Sequence, residues 1–161
     1  MYRELLERLE KAGSPTIGVI GDLMLDRYLW GRTERISPEA PVAVVEIDRS
    51  RTYTTVGGAG SVMRDLVALG AKVWAVSIVG RDEAGDEIIS KLTADGVDAS
   101  GIIREEGRPT TVKSRLLSRT QHVIRIDEDE SRLLTDAQTR AAAAEVAGRL
   151  ASTDIIIFSD Y

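Results

Sequence analysis

Three short apolar runs, Thr16 to Ile20, Lys72 to Val79 and Ile155 to Phe158, set the fold class of this chain. Each is rich in β-branched residues. Each ends at a polar or glycine-containing turn: Gly21-Asp22, Gly80-Arg81-Asp82 and Ser159-Asp160-Tyr161. Runs without polar alternation are strands buried on both faces, the kind found in parallel sheets. The stretches between them carry helical periodicity. Val62, Leu66 and Leu69 form one stripe behind Gly57-Gly58-Ala59-Gly60-Ser61, with Gly70 as its cap. Ile88, Ile89 and Leu92 mark a second helix that closes near Gly96, and Thr135 to Leu150 predicts a third with Ala142, Val146 and Leu150 in phase. Leu5, Leu6, Leu9 and Ala12 predict a helix ahead of the first strand, ended by Gly13-Ser14-Pro15. Such alternation of strand and helix argues for a layered α/β fold around a parallel sheet.

Two segments break the alternation. Tyr28 to Tyr53 is rich in Val, Ile, Tyr, Thr and Arg, with Pro38 and Pro41 interrupting it. It reads as short antiparallel strands in a small flap outside the main core. Thr110 to Leu117 and Val123 to Asp127 read as two more strands, with a hairpin turn over residues 118–122.

At 161 residues the chain fits one domain of ordinary size and can bury a core without a disulfide or metal staple. With no cysteine, thiolate metal sites and cysteine nucleophiles are excluded. A single histidine, His122, leaves no histidine cluster for a transition metal and no Ser-His-Asp triad in this chain. The net charge of −5 argues against general binding to nucleic acid or an anionic membrane. No apolar run approaches the roughly 20 residues that span a bilayer, and Met1 to Ala12 lacks a signal-peptide layout. A cytoplasmic protein is expected. Because sheets of this class bind ligands beyond their strands' carboxyl ends, Ser159-Asp160-Tyr161 also predicts a chain that forms part of a larger fold.

Three groups of residues have chemistry to offer. Asp22 and Asp26 lie in or near the loop after the first strand, where carboxylates can accept paired hydrogen bonds from sugar hydroxyls. Turn capping by Asp22 and a surface pair between Asp26 and Arg27 is the structural alternative. Gly57 and Gly58, before Ser61, allow close backbone approach at a helix start, or simply form a tight turn. Arg108, Lys113, Arg115, Arg119 and Arg125 form a basic set, and Lys113 and Arg115 share a strand face opposite Val112, Ser114 and Leu116. That face can hold a phosphate or pair with the acidic run Asp127 to Glu130.

Taken together, Gly21-Asp-Leu-Met-Leu-Asp-Arg-Tyr-Leu-Trp-Gly31, Arg35-Ile-Ser-Pro-Glu-Ala-Pro-Val-Ala-Val-Val45, Arg108-Pro-Thr-Thr-Val-Lys-Ser-Arg115 and Arg125-Ile-Asp127 resemble the PfkB/ribokinase-type sugar kinases. More narrowly, they are similar to the D-glycero-β-D-manno-heptose-7-phosphate kinases. The resemblance covers the chain from Thr16 onward and about the first half of that family's kinase domain. It implies a ribokinase-like three-layer α/β/α fold with a small β-lid over about residues 28–56, the C-terminal part of the fold lying outside these residues. It also implies transfer of the γ-phosphoryl of ATP, with Mg²⁺, to the anomeric hydroxyl of a heptose 7-phosphate, toward ADP-heptose and the lipopolysaccharide core.

By the same resemblance Asp26, with Asp22 beside it, binds sugar hydroxyls, and Gly57, Gly58 and Ser61 line the sugar. Arg115 and Arg125 hold the sugar phosphate, Asp160 lies near the ATP phosphates and Mg²⁺, and the lid forms a homodimer contact. Ser61 and Asp65 replace asparagines usual in the family. Its catalytic Asp, in a Gly-Ala-Gly-Asp loop, has no counterpart in these 161 residues, so the resemblance predicts little phosphoryl transfer by this chain alone. The alternatives are a non-catalytic sugar-phosphate-binding or dimerising half-domain, or a kinase of another sugar.

Overall fold

The computed structural model describes residues 13–119, 121–130 and 132–161, together with Tyr2, Glu4 and Lys11. The expected helix carrying Leu5, Leu6, Leu9 and Ala12 lies outside the described residues. The elements run β1 (Thr16–Gly21), β2 (Leu23–Ile36), β3 (Ala43–Ile47), β4 (Tyr53–Gly58), α1 (Ala59–Ala68), β5 (Lys72–Gly80), α2 (Glu83–Ala94), β6 (Asp98–Glu105), β7 (Val112–Ser118), β8 (Gln121–Glu128), α3 (Asp136–Arg149) and β9 (Ile155–Ser159).

The apolar runs become the first sheet, in the order β6-β5-β1-β9, with every pairing parallel. Its strands alternate between two buried faces. Ile17, Val19, Val73, Ala75 and Val79 join Met63 of α1 and Ile88 and Leu92 of α2 in one core. Met63, Ile88 and Leu92 are fully buried, each stabilising the fold by about 1.5–3 kcal/mol relative to exposure. Trp74 turns to the opposite face, where its Nε1 donates to Thr153 Oγ1 at 3.0 Å and the Arg149 guanidinium of α3 lies 5.5 Å over its ring. Helices therefore cover both faces of this sheet, in the ribokinase-like α/β arrangement that the sequence predicted. A Cβ at Gly18 would collide with that indole ring.

Arg149 also fastens α3 to β6, donating to Asp98 Oδ2 at 2.7 Å and to Ser100 Oγ at 2.8 Å. Hydrogen bonds from Ser100, with Arg149 beside it, hold the Asp98 carboxyl at a pKa of about 2. The predicted start of α3 is sound: Thr135 accepts from the Gln138 N–H while the Gln138 side chain accepts from the Thr135 N–H.

The second sheet runs β3-β2-β7-β8, with β4 also paired to β2. Here the sequence reading needs correction. Asp26 lies within a 14-residue strand, β2, and not in a loop. Leu23, Met24 and Leu25 are all buried, so no polar alternation announces the strand. Of Val62, Leu66 and Leu69, the expected stripe of α1, Val62 and Leu66 are half-buried and Leu66 packs against the core. The helix's fully buried positions are Ala59, Gly60 and Met63, while Leu69 is 84% exposed beyond the helix end. In α3, Ala142 and Val146 are half-buried as their phase predicts, whereas Leu150 is exposed. No helix of the described residues is long and apolar enough to cross a membrane.

Candidate functional site

The strand order places the site. From β1 the chain next enters the first sheet at β5 on one side, and β9 later lands on the other side of β1. Ligands in open α/β sheets bind where neighbouring strands part in this way, just past their carboxyl ends. Asp22 follows β1 at that point and Asp160 follows β9. Asp22 is held by both neighbours. Its N–H donates to Ser159 O at 3.2 Å, its carbonyl accepts from Ala59 N–H at 2.9 Å, and its carboxylate accepts from Tyr161 N–H at 3.0 Å. Instead of capping a local turn with its side chain, Asp22 anchors α1 through its backbone carbonyl and the end of β9 through its carboxylate.

Next to these groups opens a cavity of about 370 Å³. Asp22, Met24, Arg108, Lys113, Asp129 and Asp160 contribute to its wall. One of its sides continues onto the second sheet. Residues opposite each other in a sheet share a face, so register alone assembles the next group. Asp26 pairs with both Thr55 and Lys113, Met24 with Gly57, Lys113 with Asp127, and Arg115 with both Tyr28 and Arg125. Met24, Asp26, Tyr28, Gly57, Lys113, Arg115, Arg125 and Asp127 therefore form one continuous face. Behind it Leu25, Val56, Val112 and Ser114 are buried, which confirms the predicted two-faced β7, although Leu116 on the apolar side is only half-buried.

Asp26 is the centre of this face. Its Oδ1 accepts from Arg115 Nη1 at 2.5 Å, with side-chain exposures of 14% and 20%. This pairing replaces the local Asp26–Arg27 bridge considered from spacing. The hydrogen bond from Arg115 to Asp26 raises the Arg115 pKa, so the guanidinium stays charged. Its Cζ also lies 5.3 Å from the Tyr28 ring centroid, and Tyr28 stacks on Tyr53 with centroids 4.8 Å apart. The other carboxylate oxygen, Oδ2, sits where a Cβ on Gly57 would have to be. Gly58 adopts φ 59°, and a Cβ there would strike the Asp22 carbonyl. Both glycines are thus required by close approach of the two aspartates.

The remaining cations differ in their commitments. Arg125 Nε donates to Asp127 Oδ1 at 2.9 Å, and the pair is more exposed. The Lys113 side chain has no hydrogen bond or ion pair among the described residues. Ser61 does not point its hydroxyl along this face: Oγ donates to Val56 O at 3.1 Å. Arg119 stands apart, with φ 55°, just after β7 and beside Gly31, Arg32 and Arg51. Among the described residues no group of three or more His, Cys, Asp or Glu side chains gathers to hold a metal.

One cluster at this end went unnoticed in the sequence. Asp82 caps α2 by accepting from Gly85 N–H at 2.8 Å. The same carboxylate accepts from the Thr110 N–H and the Thr110 hydroxyl, each at 2.7 Å, while Thr110 Oγ1 accepts from Gly80 N–H at 2.8 Å. Burial raises the Asp82 pKa, but the hydrogen bonds from Thr110 and Gly85 outweigh it and the net shift is downward. The carboxylate straps the entry of β7, and with it Lys113 and Arg115, to the first sheet. An Asp just before a helical run was the available signal, though it reveals only the cap.

With this geometry in view, comparison with known proteins is informative. The model for the pfkB family carbohydrate kinases matches residues 15–160. The chain belongs to the pfkB family. This pfkB-family chain is 44% identical over 147 residues to the bifunctional protein HldE of Wolinella succinogenes, covering 91% of itself and 31% of that protein. Against the bifunctional protein HldE of Desulfatibacillum aliphaticivorans the identity is 43%, over 89% of this chain and 29% of the relative. The chain thus spans about 30% of the length of these relatives. Among solved structures, a carbohydrate kinase from Agrobacterium tumefaciens superposes with a TM-score of 0.70 at 22% identity, over 89% of this chain and 45% of that one. Arabidopsis thaliana ribokinase, solved with ribose and ATP, superposes with a TM-score of 0.62 at 15% identity, over 90% and 45%. These structural matches establish the same fold.

Proposed function

We propose that this pfkB-family chain is the sugar-binding portion of an ATP-dependent kinase that phosphorylates D-glycero-β-D-manno-heptose 7-phosphate at its anomeric hydroxyl, toward ADP-heptose and the lipopolysaccharide core. The observation that carries the reading is the single face on which the Asp26 carboxylate stands beside Lys113, Arg115 and Arg125. A phosphorylated sugar asks for that combination: an acceptor for its hydroxyls and cations for its phosphate. Gly57 keeps a side chain out of the space that Asp26 needs. The resemblance of the Gly21 to Gly31 and Arg35 to Val45 motifs to heptose-7-phosphate kinases supports this choice of sugar.

ATP would supply the phosphoryl group and Mg²⁺ would offset its charge. Asp160, with Asp22 close by at the parting of β1 and β9, fits an ion held by one or two carboxylates and by phosphate oxygens. A Gly-Ala-Gly-Asp loop would carry the base. The nearest match in these residues, Gly58-Ala59-Gly60-Ser61, ends in a hydroxyl committed to Val56 O. The lid strands β2, β3 and β8 exclude water from the sugar and offer a homodimer contact, consistent with the exposed Ile36, Val42, Ile47, Ile124 and Ile126. We assign the activity to the cytoplasm.

Titration calorimetry with heptose 7-phosphate, with and without ATP and Mg²⁺, tests the reading. Saturable binding without turnover by this chain is expected; failure to bind the sugar phosphate removes the proposal. A second reading, a different acceptor sugar, is favoured by Ser61, whose hydroxyl is spent on the backbone where the family carries Asn. Tighter binding of another sugar in a panel of plain and phosphorylated sugars would select it.

A further inference from the structure

We propose that Arg115 is a specificity latch: it occupies Asp26 until a phosphate draws it away, so that the hydroxyl-binding carboxylate is released only to a sugar that carries a phosphate. This rests on the sugar-phosphate reading above and adds a discriminating residue to it. The two oxygens of Asp26 have different neighbours. Oδ1 accepts from Arg115 at 2.5 Å, and Oδ2 lies over the backbone of Gly57. A sugar hydroxyl that donates to Asp26 Oδ1 must therefore compete with a charge-assisted hydrogen bond in a mostly buried setting.

A plain sugar offers Arg115 nothing in exchange. Moving the guanidinium off Asp26 would leave a charged group without its partner, which is costly in a half-buried place. Its other acceptors among the described residues are weaker: Nη1 reaches the Lys113 carbonyl only at 3.4 Å, Asp127 is already engaged by Arg125, and the adjacent side chains in register are Lys113 and Arg125, both cations, and Tyr28. A sugar phosphate changes the exchange. Its oxygens accept from Arg115 in the fork geometry that guanidinium suits, with Lys113, unpartnered among the described residues, alongside. The Tyr28 ring, 5.3 Å from Arg115 Cζ, supports the guanidinium as it shifts. Phosphate and hydroxyl recognition are then coupled through one side chain, and the coupling is reciprocal.

The signature of a latch is an effect in opposite directions. Arg115→Ala should weaken binding of heptose 7-phosphate by tenfold or more and tighten binding of unphosphorylated heptose severalfold. Lys113→Ala, which removes a cation without a carboxylate partner, should weaken the phosphorylated sugar and leave the plain sugar no tighter. An Arg115→Ala variant that binds plain heptose no better than the unaltered chain overturns the latch and leaves Arg115 a simple phosphate ligand or a packing residue. Inorganic phosphate provides a reading on the unaltered chain, free of any folding defect. The carboxyl carbon resonance of Asp26 should move as phosphate saturates, toward its position in Arg115→Lys or Arg115→Ala. A resonance that stays put under saturating phosphate also overturns the proposal. Should the unaltered chain bind neither sugar, the heptose reading falls, while the phosphate titration still decides the latch.

Discussion

Gly57 shows how one missing methyl shapes a site. Its Cα faces the Asp26 carboxylate so closely that any side chain would displace it. Gly57→Ala should therefore disable sugar binding by about tenfold or more while costing about 1–3 kcal/mol of stability, as overpacked positions do. Calorimetric affinity beside a thermal melt separates the two losses. The pair of glycines was legible in the sequence because a run of glycine before a helix requires close approach of something. What approaches was not. Asp26 and Arg115 are 89 positions apart, and no local spacing connects them. Only the parallel pairing of β2 with β7 does so, with Asp26 beside Lys113 and Tyr28 beside Arg115. Ser61 was legible as a departure from a family pattern, but not its bond to Val56 O, which depends on how β4 turns into α1.

Elements were legible where their environment is uniform. Strands β1 and β5 are apolar runs because helices cover both faces of their sheet, and the sequence marks them directly; β9 is equally apolar in sequence but lies at the sheet edge with Ile155 and Phe158 exposed. Strand β2 was concealed because its environment changes along its length: buried at Leu23 to Leu25, half-buried from Asp26 through Trp30, buried again at Gly31, exposed from Arg32 to the tip. A single period does not describe such a strand. The strap between α2 and β7 makes the element-scale prediction. Asp82→Ala removes a helix cap and two hydrogen bonds from Thr110 at once, and should lower stability by about 2 kcal/mol at neutral pH. The folded-state pKa of Asp82 lies below its usual 3.8. Its contribution is thus complete above about pH 4 and is lost as pH falls toward the lower, folded value. Chemical denaturation of both proteins from pH 7 to pH 3 should show the gap closing at the acid end. A gap independent of pH would mean that the carboxylate charge plays no part.

At the scale of the whole molecule, two sheets meet at a seam that carries the candidate binding groups. The first was predictable from alternation, the second only in outline, as a flap. If the flap mates with a second copy through β3 and β8, Ile124→Glu or Ile126→Glu should convert dimer to monomer in sedimentation velocity without altering far-ultraviolet dichroism; a unaltered chain that sediments as a monomer at high concentration would dismiss the contact. Strand β2 runs without a break from the buried core, past Asp26, to the flap's tip at Ile36. At about 3.3 Å per residue, that tip stands roughly 33 Å from Asp26. The strand is a lever and Asp26 sits near its fulcrum. A tilt of about 5° would sweep the tip through about 3 Å while the carboxylate scarcely moves. On the sugar-binding reading, such a tilt would change access to the sugar and leave the aim of the Asp26 carboxylate unaltered.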